Sequence, residues 1–313
     1  MVRIGSSDLD VFPLNLGGNV FGWTADESTS FAILNQFVDM GGNFIDTADG
    51  YSRWVPGHVG GESEAIMGRW IAQHGTRDDL IIATKVGKKP DLLGLAPDTI
   101  HKACDGSLQR LNTDYIDLYY CHADDPDVPL EDTLGALAEL VEAGKVRYIA
   151  ASNYSAERLV KALSISDAHG WPQFVALQPH YNLIVRDEYE GVLQDLCVAE
   201  GISCLPYSAL ASGFLSGKYR DPSLERGDRA EKAMTYLNDR GLRVLSAMDL
   251  VASRHEVSLT SVAIAWLVHQ PTVAAPIASA SRPDQLNALM HGATLQLTAQ
   301  DLDELDRASG HEA

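Results

Sequence analysis

The stretch Asn43-Phe44-Ile45-Asp46-Thr47-Ala48-Asp49-Gly50-Tyr51-Ser52 reads as a buried β-strand that ends in an acid and opens into a turn carrying a phenol. Two later runs end in the same way. Lys85 follows Leu80-Ile81-Ile82-Ala83-Thr84, and His122 follows the run from Tyr115 to Cys121. In a closed barrel of parallel strands, side chains at the strands' C-terminal ends converge on one mouth, where the chemistry sits. An acid, a phenol, an ammonium and an imidazole meeting there would be able to protonate or deprotonate a carbonyl oxygen.

Working outward, apolar strand-like runs alternate with helix-period segments along the whole chain, the pattern of a parallel sheet covered by helices. Strands are expected at Leu14–Gly18, Asn43–Ala48, Leu80–Gly87, Tyr115–His122, Tyr148–Asn153, Phe174–His180, Ile202–Ser208 and Val273–Ala278. Helices are expected between them, for example Thr29–Met40, Glu62–His74, Pro97–Leu111, Leu130–Ala143, Ala156–Ala168 and Glu188–Glu200. Eight strands suit a (β/α)₈ TIM barrel, and 313 residues are ample for a fold of about 250. We expect one α/β domain spanning 1–313, with extended mouth loops. The loops are Ser52 to Gly61 and Gly217 to Asp239, the latter followed by extra helices at Leu242–Arg254 and Thr260–His269. A Rossmann sheet would also alternate, but it usually stops at six strands and needs a glycine fingerprint that is absent.

Composition narrows the partners. The formal net charge of −19 repels polyanions, so neither nucleic acid nor an anionic membrane is an expected partner. Cys104, Cys121, Cys197 and Cys204 stand in apolar surroundings without C-x-x-C spacing, as in a reduced, cytoplasmic protein. No signal core and no run of about 18 apolar residues is present. Gly17 and Gly22 have P-loop spacing, yet Trp23 stands where that motif needs Lys. Neither G-x-S-x-G nor H-E-x-x-H occurs, and no metal site is expected. A homo-oligomer is left open.

The motif from Asn43 to Ser52 resembles the aldo-keto reductase family, and so do five motifs after it. These are Ala83-Thr84-Lys85-Val86-Gly87, Asp117 to His122, Gly144 to Asn153, Gln178-Pro179-His180-Tyr181-Asn182-Leu183 and Pro206-Tyr207-Ser208-Ala209-Leu210. They run in register from about Leu14 to Leu289. The resemblance implies a barrel that holds NADP(H), with NAD as the alternative, and interconverts a small carbonyl compound and its alcohol.

The chemistry follows from the residue types. A free tyrosine titrates near pH 10 and is a poor acid at neutral pH. A nearby ammonium favours the phenolate, and a buried carboxylate can orient the ammonium. Tyr51 would then be the general acid, tuned by Lys85, which Asp46 holds, while His122 orients the carbonyl. Each residue also has a plainer reading. Asp46 could hold a turn, Tyr51 could sit half-buried at a rim, Lys85 could snorkel to solvent, and His122 could be a core imidazole. Their shared position at the ends of strands two, three and four points to a site instead.

By the same resemblance, Ser152, Asn153 and Gln178 would hydrogen-bond a nicotinamide carboxamide, with Tyr207 stacked on the ring. Gly18 and Asn19 would meet the cofactor from the first strand. Ser208, Leu210, Gly213, Leu215, Gly217 and Lys218 would follow the pyrophosphate, where glycine lets backbone N–H groups approach. Ser281, Arg282 and Gln285 fall where a 2′-phosphate would be held, at the start of a helix pattern. The family's usual Glu-Asn is replaced by Ala288-Leu289, Ser279 stands for a more typical Gly or Lys, and Gly18-Asn19 stands where Gly-Thr is commoner.

Substrate contacts are expected from Phe21, Trp23 and Trp54, with Arg53 and His58 alongside. Aromatic walls with a few polar groups suit an apolar or sugar-like carbonyl compound, although packing residues of a lid would look the same. Two rivals remain. The resemblance extends to potassium-channel β subunits, so a cofactor-binding regulatory subunit is one. A barrel lyase with Lys85 as a Schiff-base nucleophile is the other.

Overall fold

The computed structural model describes residues 1–75, 77–220 and 230–310. Eight parallel strands form one sheet: β1 (Asn15–Gly17), β2 (Phe44–Asp46), β3 (Ile81–Val86), β4 (Ile116–Cys121), β5 (Val146–Ser152), β6 (Ala176–Gln178), β7 (Ser203–Cys204) and β8 (Ile277–Ala278). Their spatial order is β7-β6-β5-β4-β3-β2-β1-β8. The two edges meet. Ala274 N donates to Cys204 O at 3.0 Å, and Ile277 N donates to Pro206 O at 2.8 Å. These bonds curl the sheet round and join its ends, as a (β/α)₈ barrel requires.

The strands are buried on both faces, which explains their continuous apolar runs. Period-two alternation divides them. Phe44, Ile81, Ala83, Leu118, Tyr120, Ala150 and Ala176 form the inner cluster, while Ile45, Ile82, Val86, Tyr119 and Cys121 pack outward against the helices. Asp46, Lys85, His122, Ser152 and Gln178 are the next inward positions towards the C-terminal ends. Alternation alone therefore aims them at the mouth.

The helical layer comprises α1 (Glu27–Asp39), α2 (Glu62–His74), α3 (Pro97–Leu111), α4 (Leu130–Glu142), α5 (Ala156–His169) and α6 (Val192–Glu200), followed by α7 (Ala230–Met234), α8 (Asp239–His255), α9 (Leu259–Val268), α10 (Leu286–Thr294) and α11 (Ala299–Ser309). Side chains that accept first-turn N–H groups start several of them: Asp26 for α1, Ser155 for α5, Asn238 for α8 and Thr298, in a capping box, for α11. No helix among the described residues is long and apolar enough to cross a membrane.

Two small hairpins were not foreseen. Val2–Arg3 pairs with Asp10–Val11, and Ile4, Leu9 and Val11 fill the end of the barrel interior opposite the mouth. Asn43 ties this plug to β2, since its Oδ1 accepts from Phe12 N at 2.9 Å and its Nδ2 donates to Asp10 O at 3.0 Å. Lys88–Lys89 pairs with Leu92–Leu93 just beyond β3. Of the expected loop from Gly217 to Asp239, residues 221–229 lie outside the described residues.

The helices pack closely at glycines. A Cβ built on Gly68 of α2 would lie 2.0 Å from the carbonyl oxygen of Arg110 at the end of α3. Backbone cannot yield that far without the two helices separating. Gly68→Ala is expected to destabilise the fold by about 1–3 kcal/mol, as overpacking does. The test is the urea midpoint, and an unshifted midpoint would show that the contact relaxes freely.

Candidate active site

The turn after β2 continues to bond along β3, and this brings Tyr51 to Lys85. Thr47 N donates to Ala83 O at 2.8 Å and Asp49 N donates to Lys85 O at 3.1 Å. The chain then folds back, with Tyr51 N donating to Ala48 O at 3.2 Å. Ser52, at φ 68°, is held by its hydroxyl, which donates to Phe21 O at 2.7 Å. Lys85 Nζ thereby donates to Asp46, to Thr47 O at 2.8 Å and to Tyr51 Oη at 2.8 Å. Its three protons match three acceptors. The Tyr51 hydroxyl also lies 3.4 Å from Asp46 Oδ1, and Gln178 Nε2 donates to Asp46 Oδ2 at 3.0 Å. His122 stands edge-on to the Tyr51 ring, with centroids 6.0 Å apart.

Lys85 and Asp46 are both completely buried. Burial pushes the Asp46 carboxyl up and the Lys85 ammonium down, and each one's charge opposes the shift of the other. Asp49 and Glu64 add negative charge that favours the ammonium. Burial, followed by the charges of Lys85, Lys88 and Arg53, pushes His122 well below the ordinary imidazole range. At neutral pH the ring is therefore uncharged and keeps one N–H. An uncharged imidazole can orient a carbonyl oxygen while the phenol donates the proton.

A cavity of about 1150 Å³ opens over these groups. Tyr51, His122, Ser152, Asn153, Gln178 and Tyr207 line one part of it. Asn153, at φ 56°, joins three strand ends: Nδ2 donates to His122 O at 2.9 Å and Ser152 Oγ at 3.0 Å, and Oδ1 accepts from Tyr207 Oη at 2.9 Å. Tyr207 is stacked on His180 with centroids 5.2 Å apart and planes 8° apart, so one ring face is covered. Amide donors and acceptors beside an aromatic plate suit a flat ring bearing a carboxamide.

Elsewhere the cavity wall combines loops with residues of α7, α9 and α10. Asn19, Ser208, Leu210, Gly213, Lys218, Ser281, Arg282 and Gln285 all line it. Ser208, Ala211 and Ser212 have φ of 58°, 47° and 58°, a run of left-handed non-glycine residues that stores strain at the mouth. Arg282 is exposed and pairs with Asp284 at 3.1 Å, while Gln285 Oε1 accepts from Ser281 N at 2.8 Å. Ser279 Oγ, at the position noted above as unusual, donates to Asn19 Oδ1 at 2.5 Å.

Some expected residues lie elsewhere. Phe21 is completely buried in the outer core and does not form a mouth wall, because its loop turns inward beneath Ser52. Leu215 is also completely buried, and its N–H is committed to Leu210 O at 3.2 Å, so it offers nothing to a pyrophosphate. Gly217 N donates to Phe214 O at 2.9 Å, and neither Gly217 nor the buried Gly18 is part of the cavity wall. Trp54 is 43% exposed at the rim and meets Trp23 edge-on at 5.5 Å. The sequence reading missed Thr24, Lys88, Glu231 and Lys232 on the wall, and His180 behind Tyr207. Its place two residues beyond Gln178, continuing the alternation past the end of β6, was the available signal for His180.

The chain as a whole is similar to known proteins. The chain belongs to the aldo/keto reductase family, whose model matches residues 13–309. It is 34% identical to protein tas of Escherichia coli, over 97% of this chain and 96% of that one. It is 33% identical to aldo-keto reductase YhdN of Bacillus subtilis, over 93% and 86% respectively. It is 32% identical to a probable voltage-gated potassium channel subunit beta of Arabidopsis thaliana, over 92% and 89%. The family's fold is the (β/α)₈ barrel, and its members generally reduce carbonyl compounds with a nicotinamide cofactor, typically NADPH.

Asp49 supplies a pH-dependent test of this environment. It is completely buried, and among the described residues its Oδ1 has no hydrogen-bond partner. Burial, then the charge of Glu64, raises its carboxyl from the ordinary 3.8 to about 7. A carboxyl raised on folding contributes stability at low pH that is lost as pH rises through the folded value. Asp49→Asn should therefore exceed the parent in stability at about pH 8, by on the order of 2–4 kcal/mol, with the gap closing towards about pH 4. Urea midpoints across that range provide the measurement, and a gap independent of pH would contradict the assignment.

Proposed function

We propose that this protein is an NADP(H)-dependent oxidoreductase that reduces an aldehyde or ketone to an alcohol, with Tyr51 as the general acid. The whole chain, 1–313, would act as one barrel domain in the cytoplasm, a setting supported by four buried, unpaired cysteines. The observation that carries the reading is the 2.8 Å contact from Lys85 Nζ to Tyr51 Oη, with the ammonium held by Asp46. A cation placed there stabilises the phenolate left when Tyr51 gives up its proton. His122 hydrogen-bonds the substrate oxygen and sets its lone pair towards the phenol. Tyr51 then protonates that oxygen, and Lys85 and Asp46 hold the resulting charge in place without leaving their sites. The reverse oxidation uses the same groups in the opposite order.

A bound nicotinamide supplies the hydride that no side chain can. Ser152, Asn153, Gln178 and Tyr207 would hold its ring, and Ser208, Gly213 and Lys218 its phosphates. Ser281, Arg282 and Gln285 support NADP over NAD. The Arg282–Asp284 pair is exposed and weak, so a phosphate dianion can displace it. A lyase reading loses support here, because Lys85 has all three protons committed and is fully buried.

The test is loss of NADPH absorbance with 4-nitrobenzaldehyde. Tyr51→Phe is expected to lower kcat by on the order of 10²–10⁴ while NADPH still binds. Full activity in that variant would refute the acid assignment. In parallel, Arg282→Ala should raise KM for NADPH by about tenfold, as loss of a charge-assisted bond does, and change NADH little. Equal effects on both cofactors would overturn the phosphate site. The similarity to a potassium channel β subunit favours one second reading, a regulatory subunit that binds the cofactor. Tight NADPH binding without turnover of any carbonyl compound would establish it.

A further inference from the structure

We propose that the substrate carries an anionic group, such as a carboxylate, which Lys88 and Arg53 receive at the mouth beside Tyr51. The inference rests on the reductase reading of this site and adds the chemical class of its substrate.

Lys88 lines the cavity with Tyr51 and His122 and is half-buried. Its neighbour Lys89 pairs with Asp91, so the alternation of the short hairpin sends one lysine to an acid and the other to the cavity. Arg53, in the turn after β2, is exposed at the rim and does not line the cavity itself. Its Nη1 donates to Gly50 O at 3.1 Å, and its guanidinium lies 5.7 Å from the Trp54 ring centre. A side chain built on Gly50 would start 3.1 Å from Arg53 Nη1 and 2.8 Å from the carbonyl oxygen of Lys88. Both residues therefore flank the one that precedes Tyr51.

The chain holds 24 Lys and Arg against 43 Asp and Glu. Acids are abundant, and Arg69, Arg77, Arg110, Arg147 and Arg158 each pair with at least one. Among the described residues, no ion pair is formed by Lys88 or Arg53. Burial and the charges of Arg53 and Lys85 all push the Lys88 ammonium down. A half-buried ammonium on the cavity wall, with further cations near it, costs stability, and an anion beside it removes that cost. Cofactor phosphates are not the expected anion. Lys88 follows β3, four places round the strand order from β7, whereas the phosphate-side candidates Lys218 and Arg282 follow β7 and β8.

The experiment compares 4-carboxybenzaldehyde with 4-nitrobenzaldehyde, whose flat substituents have the same shape and differ by one charge. The ratio of kcat/KM for the charged over the neutral aldehyde should fall by about tenfold or more in Lys88→Gln, and by a smaller factor in Arg53→Gln. A loss common to both aldehydes, or an unchanged ratio in both variants, would overturn the proposal. Benzoate binding, followed by quenching of the mouth tryptophans, keeps the test independent of turnover. Benzoate quenching in the parent that is lost in Lys88→Gln supports the anion site even if neither aldehyde is reduced, an outcome that would refute only the reductase reading. No benzoate binding to the parent would refute the anion site alone.

Discussion

A lysine ammonium with no exposure to solvent has lost its hydration, and the protein must replace that shell atom by atom or leave the group neutral. Asp46, the carbonyl of Thr47 and the hydroxyl of Tyr51 do so for Lys85. The requirement propagates outward. Asp46 is buried too, and Gln178 from the far side of the barrel satisfies its second oxygen. The turn after β2 must run along β3 to bring Thr47 and Tyr51 into place, and Ser52 must adopt a left-handed backbone to let it. Removing one partner of such a pair leaves an unpaired buried charge, which is far more costly than the pair itself.

The mouth is divided by topology. Residues at and after the ends of β2, β3 and β4 supply the phenol, the ammonium, the imidazole and Lys88 and Arg53, which form no ion pair among the described residues. Residues after β5 to β8 supply amides, an aromatic plate and strained loops with backbone donors. Asn153 spans the two halves, since its side chain bonds the end of β4, its own strand and Tyr207. In the proposed reaction one half would move the proton and the other would hold the cofactor. This division follows from the strand order alone.

Much of this was legible in the sequence, for reasons that differ by element. Doubly buried strands leave continuous apolar runs, so each observed strand falls within its expected segment except β5, which begins two residues before it. The helices Glu62–His74 and Pro97–Leu111 kept their expected bounds, with a glycine before one and Pro97 opening the other. The four polar strand-end residues stood out because each interrupts an apolar run. The N-terminal hairpin did not, since two-residue strands carry no period. Phe21 misled because an aromatic in a loop reads equally as rim or core. Leu215 misled because its bond to Leu210 belongs to a kinked turn with no sequence signature. Lys88 and Asp49 carry no signal of their own in the sequence, and only the fold shows that one lines the cavity and the other is enclosed.

In the proposed reduction Lys85 acts through Tyr51 and has no separate role. A double-mutant cycle on the single-turnover rate of NADPH oxidation tests it most directly. Lys85→Met is expected to slow the parent by on the order of 10²-fold or more, yet to slow Tyr51→Phe by less than about threefold, because groups acting as a unit are not additive. Losses that multiply in the double variant would contradict it and make the two residues independent.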